Sequence, residues 1–247
     1  MITGATSGIG KACAEKFAAG GYHLIVTGRR NDRLQELQAA LEQQYAVKVL
    51  PLCFDVQNKE EVFSAISSLP DAWKQIGVLI NNAGLALGRD SFEAADMHDW
   101  ETMIDTNIKG LLYVSKAVLP LLTNPAGAHI INIGSIAGKQ AYEKGNVYCA
   151  TKSAVQMLSQ TMRIDLLPHR IRVTAIHPGA VETEFGVVRF KGNEAAARKV
   201  YEGYQPLSAA DIAGIIFFCT SLPPHICIND LDVTCLAQAN AFYTFKG

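Results

Sequence analysis

One stretch organises this chain: Ser135-Ile-Ala-Gly-Lys-Gln-Ala-Tyr-Glu-Lys-Gly-Asn-Val-Tyr148-Cys-Ala-Thr-Lys152. Tyr148 and Lys152 are four residues apart, so on a helix their side chains project from one face, about one turn apart. An ammonium group near a phenol favours the phenolate, and the spacing therefore predicts that Lys152 lowers the pKa of Tyr148 from about 10 toward neutral pH. A phenol tuned in this way can pass a proton to or from a substrate oxygen.

Ser135 follows an apolar run, residues 129–134, that is typical of a buried strand. At the end of such a strand its hydroxyl can hydrogen-bond the same substrate oxygen. Tyr-x-x-x-Lys on its own also suits a solvated pair on an amphipathic helix. The rest of the chain decides between these two interpretations.

Composition limits the kinds of protein that this sequence can be. The 247 residues are 49% hydrophobic and 18% charged, which predicts a globular protein with a substantial core. The net charge of −1, without basic blocks, gives no sign of a nucleic-acid partner. No apolar run approaches the roughly 18 residues of a membrane span, and the first residues lack a secretory pattern. The cysteines lack metal-ligand and disulfide spacing, which predicts no metal site and a reduced, cytoplasmic protein; they are Cys13, Cys53, Cys149, Cys219, Cys227 and Cys235.

A glycine-rich turn, Thr3-Gly-Ala-Thr-Ser-Gly-Ile-Gly10, stands almost at the start of the sequence. Only two residues precede it, so either the first strand is cut short or a few leading residues are absent from this sequence. The turn precedes a helix predicted at 11–19. Glycines between a strand and a helix allow the backbone to approach a pyrophosphate at the positive helix end, although the spacing also suits an ordinary turn.

Arg29 and Arg30 follow a strand predicted at 22–27, about where a dinucleotide-binding fold contacts the adenosine ribose. A carboxylate there prefers a free 2′-hydroxyl, whereas guanidinium groups suit a 2′-phosphate. The pair therefore predicts NADP rather than NAD as cofactor. The alternative is that both arginines are solvated charges before the helix predicted at 31–44, with Asn31 as its N-cap.

About seven strands alternate with helices over residues 1–247, without a break in composition. This alternation predicts a single α/β domain, a doubly wound Rossmann fold with a mostly or fully parallel seven-stranded sheet and a truncated first strand. Pro51 lies within a strand predicted at 47–54, which fits an edge position in the order 3-2-1-4-5-6. The other strands are predicted at 22–27, 77–80, 129–134, 171–176 and 227–236.

A long helix predicted at 99–122, ending before Asn124-Pro125, contains Asn107. Asparagine is a poor residue for a helix interior, and Gly110 just after it permits a local distortion in which the amide holds a water. The remaining helices are predicted at 58–69, 148–167 and 208–222.

Residues 180–207, here called the lid segment, break the alternation after the carboxyl end of a strand. Long irregular segments of compact domains are often functional, so we expect a lid over the site, with a short helix at 193–204. Ser208 and Asp211 form a capping box at the helix that follows. His177, before a proline, is interpreted as structural, and the aromatic tail 237–247 is predicted to pack on a partner subunit.

These features together resemble the short-chain dehydrogenase/reductase family along almost the entire chain. The matching residues are Thr3-Gly-Ala-Thr-Ser-Gly-Ile-Gly10, Asp55, Asn81-Asn-Ala-Gly84, Asn107, Ser135, Tyr148-Cys-Ala-Thr-Lys152, Pro178-Gly179 and Thr183. The resemblance implies that Tyr148 is the general acid/base, that Lys152 lowers its pKa and holds the nicotinamide ribose, and that Ser135 orients the substrate oxygen. It also implies that Asn107 anchors the water of a proton relay.

The resemblance further implies how NADP and the subunits are arranged. Asp55-Val56 would lie by the adenine, Asn82 by the adenine-side ribose and Thr183 by the nicotinamide amide. Family members usually form tetramers or dimers, which implies a homotetramer or homodimer. The implied cofactor-binding residues are Gly4, Thr6, Ser7, Gly8, Ile9, Gly10, Arg29, Arg30, Asp55, Val56, Asn82, Tyr148, Lys152, Pro178, Gly179, Val181 and Thr183.

Several segments are more specifically similar to NADP-dependent 3-hydroxy acid dehydrogenases, which oxidise serine, allo-threonine and related acids. They are Asn82-Ala-Gly-Leu-Ala-Leu-Gly88, Trp100-Glu-Thr-Met-Ile-Asp-Thr-Asn107, Gly145-Asn-Val-Tyr148 and Val188-Arg-Phe-Lys-Gly192. An acid substrate needs a cation for its carboxylate, and Arg189 or Lys191 can supply it, with Lys139 and Arg89 as lesser candidates. The alternatives are a carbonyl or 3-oxoacyl reductase and, outside enzymes, a dinucleotide-sensing protein. A sensor has no need of Ser135, Tyr148 and Lys152 together.

Overall fold

A parallel β-sheet lies at the centre of the fold in the computed structural model, which describes residues 1–122 and 127–247. In chain order the strands are β1 Leu24–Gly28, β2 Val49–Cys53, β3 Val78–Asn81, β4 His129–Ile133, β5 Arg172–Pro178, β6 Val181–Glu182, β7 Leu207–Ser208 and β8 Asp230–Val233. Each strand pairs in parallel with its neighbour. β6 and β7 form a separate small sheet. β2, which contains Pro51, pairs with β1 at the edge of the large sheet, as predicted.

Ile2 takes the place of the truncated first strand. It forms parallel bridges to Val26 of β1 and to Ile80 of β3, so it joins the pair β2–β1 to the row β3–β4–β5–β8. The Ile2 N–H donates to Ile25 O at 2.8 Å, and the Ile80 N–H donates to Met1 O at 2.8 Å. The predicted strand order, with seven positions and a shortened first strand, is confirmed.

Helices cover both faces of the sheet, because alternate strand residues point to opposite sides. On one face, Phe17, Leu34 and Ile212 from three helices pack on strand residues such as Val26. On the other face, further helices pack on strand residues such as Ile25. The helices are α1 Gly8–Ala19, α2 Asn31–Gln44, α3 Lys59–Ser67, α4 Met97–Ile104, α5 Leu111–Val118, α6 Asn146–Leu166, α7 Glu184–Arg189, α8 Glu194–Lys199 and α9 Ala209–Ser221.

Helix α2 spans the predicted residues, but Asn31 is not its N-cap. Asn31 is already helical, and the capping position belongs to Arg30, which has extended backbone angles and makes no side-chain capping bond. Helix α1 begins at Gly8, within the glycine-rich turn and earlier than predicted. The first N–H groups of helix α1 therefore come from residues of the glycine-rich turn.

The long helix predicted at 99–122 is interrupted. A π-helical turn, Asp105–Gly110, separates α4 from α5, and a 3-10 turn, Leu119–Leu121, ends the run. The predicted distortion around Asn107 is thus confirmed. The predicted stop signal Asn124-Pro125 lies outside the described residues.

The lid segment is more ordered than predicted, because it holds β6, α7, α8 and β7 rather than one short helix. The capping box of Ser208 and Asp211 is confirmed at the start of α9. The final strand is shorter than predicted. The tail folds back on itself and on the lid segment: the Phe245 N–H donates to Ala237 O and the Gly247 N–H to Gly203 O. Among the described residues, no helix has the length and apolarity to cross a membrane.

Candidate active site

A cavity of about 1110 Å³ opens at the carboxyl ends of the parallel strands, where ligands bind in such sheets. It runs from the glycine-rich turn to the lid segment. The predicted residues that line it are Gly4, Thr6, Ser7, Gly8, Ile9, Arg29, Arg30, Asp55, Val56, Asn82, Ser135, Tyr148, Lys152, Pro178, Gly179, Val181, Thr183 and Arg189. Gly10, Asn107 and Lys191 are not among its lining residues.

The glycine-rich turn is shaped for close approach by a ligand. Gly4 and Gly8 have φ angles of +64° and +52°, which favour glycine. A Cβ on Gly10 would lie 2.3 Å from Gly4 O, so Gly10 allows the helix to pack on the turn. The Asn82 amide holds the turn from below by donating to Thr3 O at 2.9 Å and to Gly4 O at 3.2 Å. The start of α1 therefore offers free backbone N–H groups, and the open glycine-rich turn leaves room for a pyrophosphate to approach them.

The arginine end of the cavity is built from two helices. Arg30 donates to Thr6 Oγ1 at 2.8 Å, to Ser7 Oγ at 2.9 Å and to Glu184 of α7 at 2.9 Å. Arg33, one turn into α2, also donates to Glu184, at 2.7 Å. Arg29 is more exposed and lies 3.5 Å from Asp55. Guanidinium and hydroxyl donors grouped as around Arg30 fit a 2′-phosphate. Arg33 does not line the cavity but shares Glu184 with Arg30.

Tyr148 and Lys152 lie on α6 as predicted, and both are buried, at 8% and 6% exposure. Ser135 lies two residues past the end of β4, and its hydroxyl accepts from Ala137 N at 3.1 Å. The predicted fall of the Tyr148 pKa toward neutral pH is not seen in this structure, because burial raises the pKa of the phenol. The neighbours that favour the phenolate are Ser135 and the charge of Arg189.

The Lys152 ammonium points to the end of β4. It donates to Ile133 O at 2.9 Å, and burial lowers the pKa of the ammonium to about 8. An ammonium has three donors, so two remain for hydroxyl groups such as those of a ribose. Lys152 is therefore suited to hold a ligand in the cavity, and that this ligand is the nicotinamide ribose stays a prediction.

Asn107 holds two pieces of backbone together. Its Oδ1 accepts from Leu85 N at 2.8 Å, and its Nδ2 donates to Leu85 O at 2.8 Å and to Thr151 Oγ1 at 3.0 Å. Both amide hydrogens are therefore used, and the side chain fixes the loop after β3 against α6. That Asn107 anchors the water of a proton relay stays a prediction.

Arg189, at the end of α7, is a lid cation that lines the cavity, as is Lys199 at the end of α8. Its guanidinium carbon lies 5.4 Å from the ring centroids of both Tyr142 and Tyr148, and its Nη2 donates to Tyr142 Oη at 2.7 Å. Arg89 also lines the cavity. Lys191 points elsewhere and pairs with Asp99 at 2.8 Å, so it is not placed to bind the substrate.

Some site residues were not identified from the sequence. The Gln238 side chain, from the tail, accepts from Ala180 N at 2.8 Å and thereby supports the loop after β5. Tyr142, Glu184 and Arg33 acquire their roles only through contacts between distant segments. For Arg33 a signal was present, since it lies one helical turn beyond Arg29 and Arg30.

Comparison with known proteins gives consistent matches. The short chain dehydrogenase family model matches residues 1–194. Sulfoacetaldehyde reductase 2 of Chromohalobacter salexigens is 46% identical over 240 residues, covering 97% of this chain and 94% of the relative. The NADP-dependent 3-hydroxy acid dehydrogenase YdfG of Salmonella typhi is 45% identical over 242 residues, covering 98% and 96%. The closed form of a serine dehydrogenase complexed with NADP+ superposes with a TM-score of 0.91 at 42% identity, covering 100% of this chain and 98% of that one.

Proposed function

This chain belongs to the short-chain dehydrogenase family, and we propose that it transfers a hydride between NADP(H) and the carbinol or carbonyl carbon of a small 3-hydroxy acid such as serine or allo-threonine. One observation carries the choice of an acid. The Arg189 guanidinium lines the cavity with its central carbon 5.4 Å from the ring centroid of Tyr148, and its Nε is buried without a hydrogen bond to any described residue. An acid bound beside Tyr148 would place its carboxylate against this cation.

When bound, NADP+ supplies the hydride acceptor. To take the proton of the substrate hydroxyl in oxidation, Tyr148 acts as the phenolate, a form that burial opposes and the charge of Arg189 favours. In reduction the phenol returns the proton. Ser135 holds the reacting oxygen beside the phenol. Lys152 supports the cofactor ribose with the two N–H donors that Ile133 O leaves unused. Arg189 orients the acid so that its carbinol carbon faces the cofactor.

The lid segment completes the site in this proposal. Gly88 N donates to Arg189 O at 3.0 Å, so the end of α7 is tied to the loop after β3. Movement of α7 would carry Arg189 into or away from the cavity, which is the action expected of a lid. We further propose one catalytic domain over residues 1–247, a homotetramer or homodimer as in the family, and a reducing compartment such as the cytoplasm, which the six free cysteines favour.

A second candidate, an aldehyde with a sulfonate group, is favoured by the similarity to a sulfoacetaldehyde reductase. A guanidinium binds a sulfonate through the same planar donors as a carboxylate. The test is a substrate panel on the purified protein: NADP+ with serine, allo-threonine, 3-hydroxybutyrate and a neutral secondary alcohol, and NADPH with sulfoacetaldehyde and a neutral aldehyde.

Activity confined to the hydroxy acids supports the first proposal, and activity confined to sulfoacetaldehyde supports the second. Activity on neutral compounds alone would contradict both and would indicate a general carbonyl reductase. Binding of NADP+ without turnover of any compound would indicate a dinucleotide-sensing protein.

A further inference from the structure

Behind Ser135 three side chains close a ring that the reaction described above does not use. His177 of β5 is fully buried, with Nδ1 3.3 Å from Ser135 O and Nε2 3.1 Å from Asp230 Oδ2. Lys139, four residues beyond Ser135, hydrogen-bonds Asp230 and also Asp232 of β8. The ring therefore runs from the Ser135 carbonyl through His177, Asp230 and Lys139 and returns through the turn Ile136–Gly138.

The ring reaches the Ser135 hydroxyl through the backbone. Ser135 Oγ accepts from Ala137 N at 3.1 Å, so the direction of the hydroxyl depends on how the turn is held. The imidazole of His177 lies directly against Gly134, the residue before Ser135, since a Cβ on Gly134 would lie 2.4 Å from His177 Nδ1. His177 and Lys139 thus fix the two ends of the turn to the same carboxylate.

We propose that His177, Asp230 and Lys139 are positioning residues that hold Ser135 in the orientation needed to bind the substrate oxygen. The proposal rests on the proposed role of Ser135. The Ser135 carbonyl and the Asp230 carboxylate can both only accept, so His177 donates to both when both of its ring nitrogens carry hydrogen. Lys139 balances the charge of Asp230 and Asp232 at the half-exposed end of the ring.

The first test replaces His177 by Phe, which keeps a planar aromatic side chain and removes both imidazole nitrogens. We expect kcat to fall about 10- to 100-fold because the reacting oxygen is less well oriented, with the Kd for NADP+ nearly unchanged. His177→Asn should restore much of the loss, because its amide places a donor near the position of Nδ1. His129→Phe is the matched control: His129 is an equally buried imidazole on β4 that bonds Thr174 at 2.7 Å.

The second test is a double-mutant cycle. If His177 acts through Ser135, His177→Phe should cause little further loss of kcat in a Ser135→Ala protein. An equal loss in both backgrounds, or unchanged kcat in His177→Phe, would overturn the proposal. If His177→Phe does not fold, the same cycle is measured with Lys139→Met, which changes the more exposed partner of Asp230.

The assay uses whichever alcohol the wild type oxidises. Lack of activity on hydroxy acids would therefore contradict the proposed function but not the positioning role of His177, Asp230 and Lys139.

Discussion

Glu184, the first residue of α7, accepts hydrogen bonds from both Arg30 at 2.9 Å and Arg33 at 2.7 Å. Arg30 is one of the two arginines proposed to bind the 2′-phosphate, and Arg33 lies beside it on the same carboxylate. In this proposal a carboxylate of the lid segment competes with the phosphate for these cations. All three side chains are about half exposed, so each ion pair contributes modestly, about 0.2–1 kcal/mol.

Glu184→Gln should tighten the binding of NADP+ by about three- to tenfold, because both arginines are then free for the phosphate. The affinity for NAD+, which lacks that phosphate, should change little. Isothermal titration with each cofactor measures the two effects. Glu194→Gln is the matched control, since Glu194 begins α8 and pairs with Arg198 at 3.2 Å in a similar exposed setting. A parallel change for both cofactors would show that Glu184 does not act through the phosphate.

Replacing Arg29 and Arg30 together by Ala should weaken NADPH far more than NADH, by about 100-fold or more against a few-fold. Adding Arg33→Ala should increase the difference between the losses for NADPH and NADH. Arg33 pairs with the same carboxylate as Arg30, that of Glu184, and so lies close to the proposed phosphate site. Fluorescence titration of both reduced cofactors tests this. Equal losses for NADPH and NADH would contradict the assignment of the 2′-phosphate site, and Arg198→Ala on α8 should affect neither.

Tyr148→Phe should reduce turnover by several orders of magnitude while NADPH still binds. The substitution removes the phenol oxygen and leaves the ring and its contact with Phe185, whose centroid is 5.8 Å away. Steady-state kinetics and a cofactor titration separate the two effects. Tyr201→Phe is a control from the lid segment, because Tyr201 donates to Val181 O rather than to the reacting groups. Near-normal turnover in Tyr148→Phe would remove Tyr148 from the mechanism.

Arg189→Met should raise KM for an acid substrate by about 100-fold or more, since an anion would lose its cation in a buried site. A neutral alcohol should be oxidised no worse than by the wild type. Arg189→Lys should recover part of the affinity, because the charge is kept and the planar donors are lost. Lys191→Met is the control, as its partner is Asp99 outside the cavity. A KM that rises equally for acids and neutral alcohols would contradict anion binding by Arg189.

Lys152→Met should abolish activity and yet raise the free energy of unfolding at about pH 7. The net gain should be about 1–2 kcal/mol once the cost of losing the hydrogen bond to Ile133 O is subtracted. Burial lowers the pKa of Lys152 from 10.5 to about 8, so below pH 8 the native state holds a buried ammonium at a cost. From pH 8 to 10.5 the unfolded state binds more protons, and the wild type therefore gains stability as pH rises.

The advantage of Lys152→Met should consequently shrink across that interval. Urea unfolding at about pH 7 and about pH 10 measures it. Lys116→Met, on the neighbouring helix α5 and exposed, is the control and should show no such pH dependence. A Lys152→Met protein less stable than the wild type at about pH 7 would contradict the cost assigned to the ammonium.

The order of strands and helices was predictable because hydrophobic periodicity and glycine placement are local signals. The same holds for the grouping of Ser135, Tyr148 and Lys152, whose positions follow from one strand end and one helix face. The environment of Tyr148 was not predictable in this way. Its pKa depends on burial and on Arg189, which arrives from a segment about 40 residues later.

Arg189 and Lys191 show the same limit. They are two residues apart, so on a short helix and its following turn they point in different directions. One meets Tyr142 in the cavity and the other meets Asp99 outside it. Sequence alone placed both cations on the lid segment, and only the path of the chain after α7 separates them.

Residues 1–5 join two panels of the large sheet. The N–H groups of Ile2 and Ala5 donate to Ile25 O and Thr27 O in the panel β2–β1, and the Thr3 N–H donates to Ile80 O in the panel that contains β3 and β4. Arg29 follows β1 and Ser135 follows β4, so the proposed cofactor site spans both panels. Heat or denaturant that opens this junction would separate the two sides of the proposed site before either panel unfolds. In hydrogen exchange, loss of protection at the Ile2 and Thr27 amides should therefore coincide with loss of cofactor binding, ahead of global unfolding.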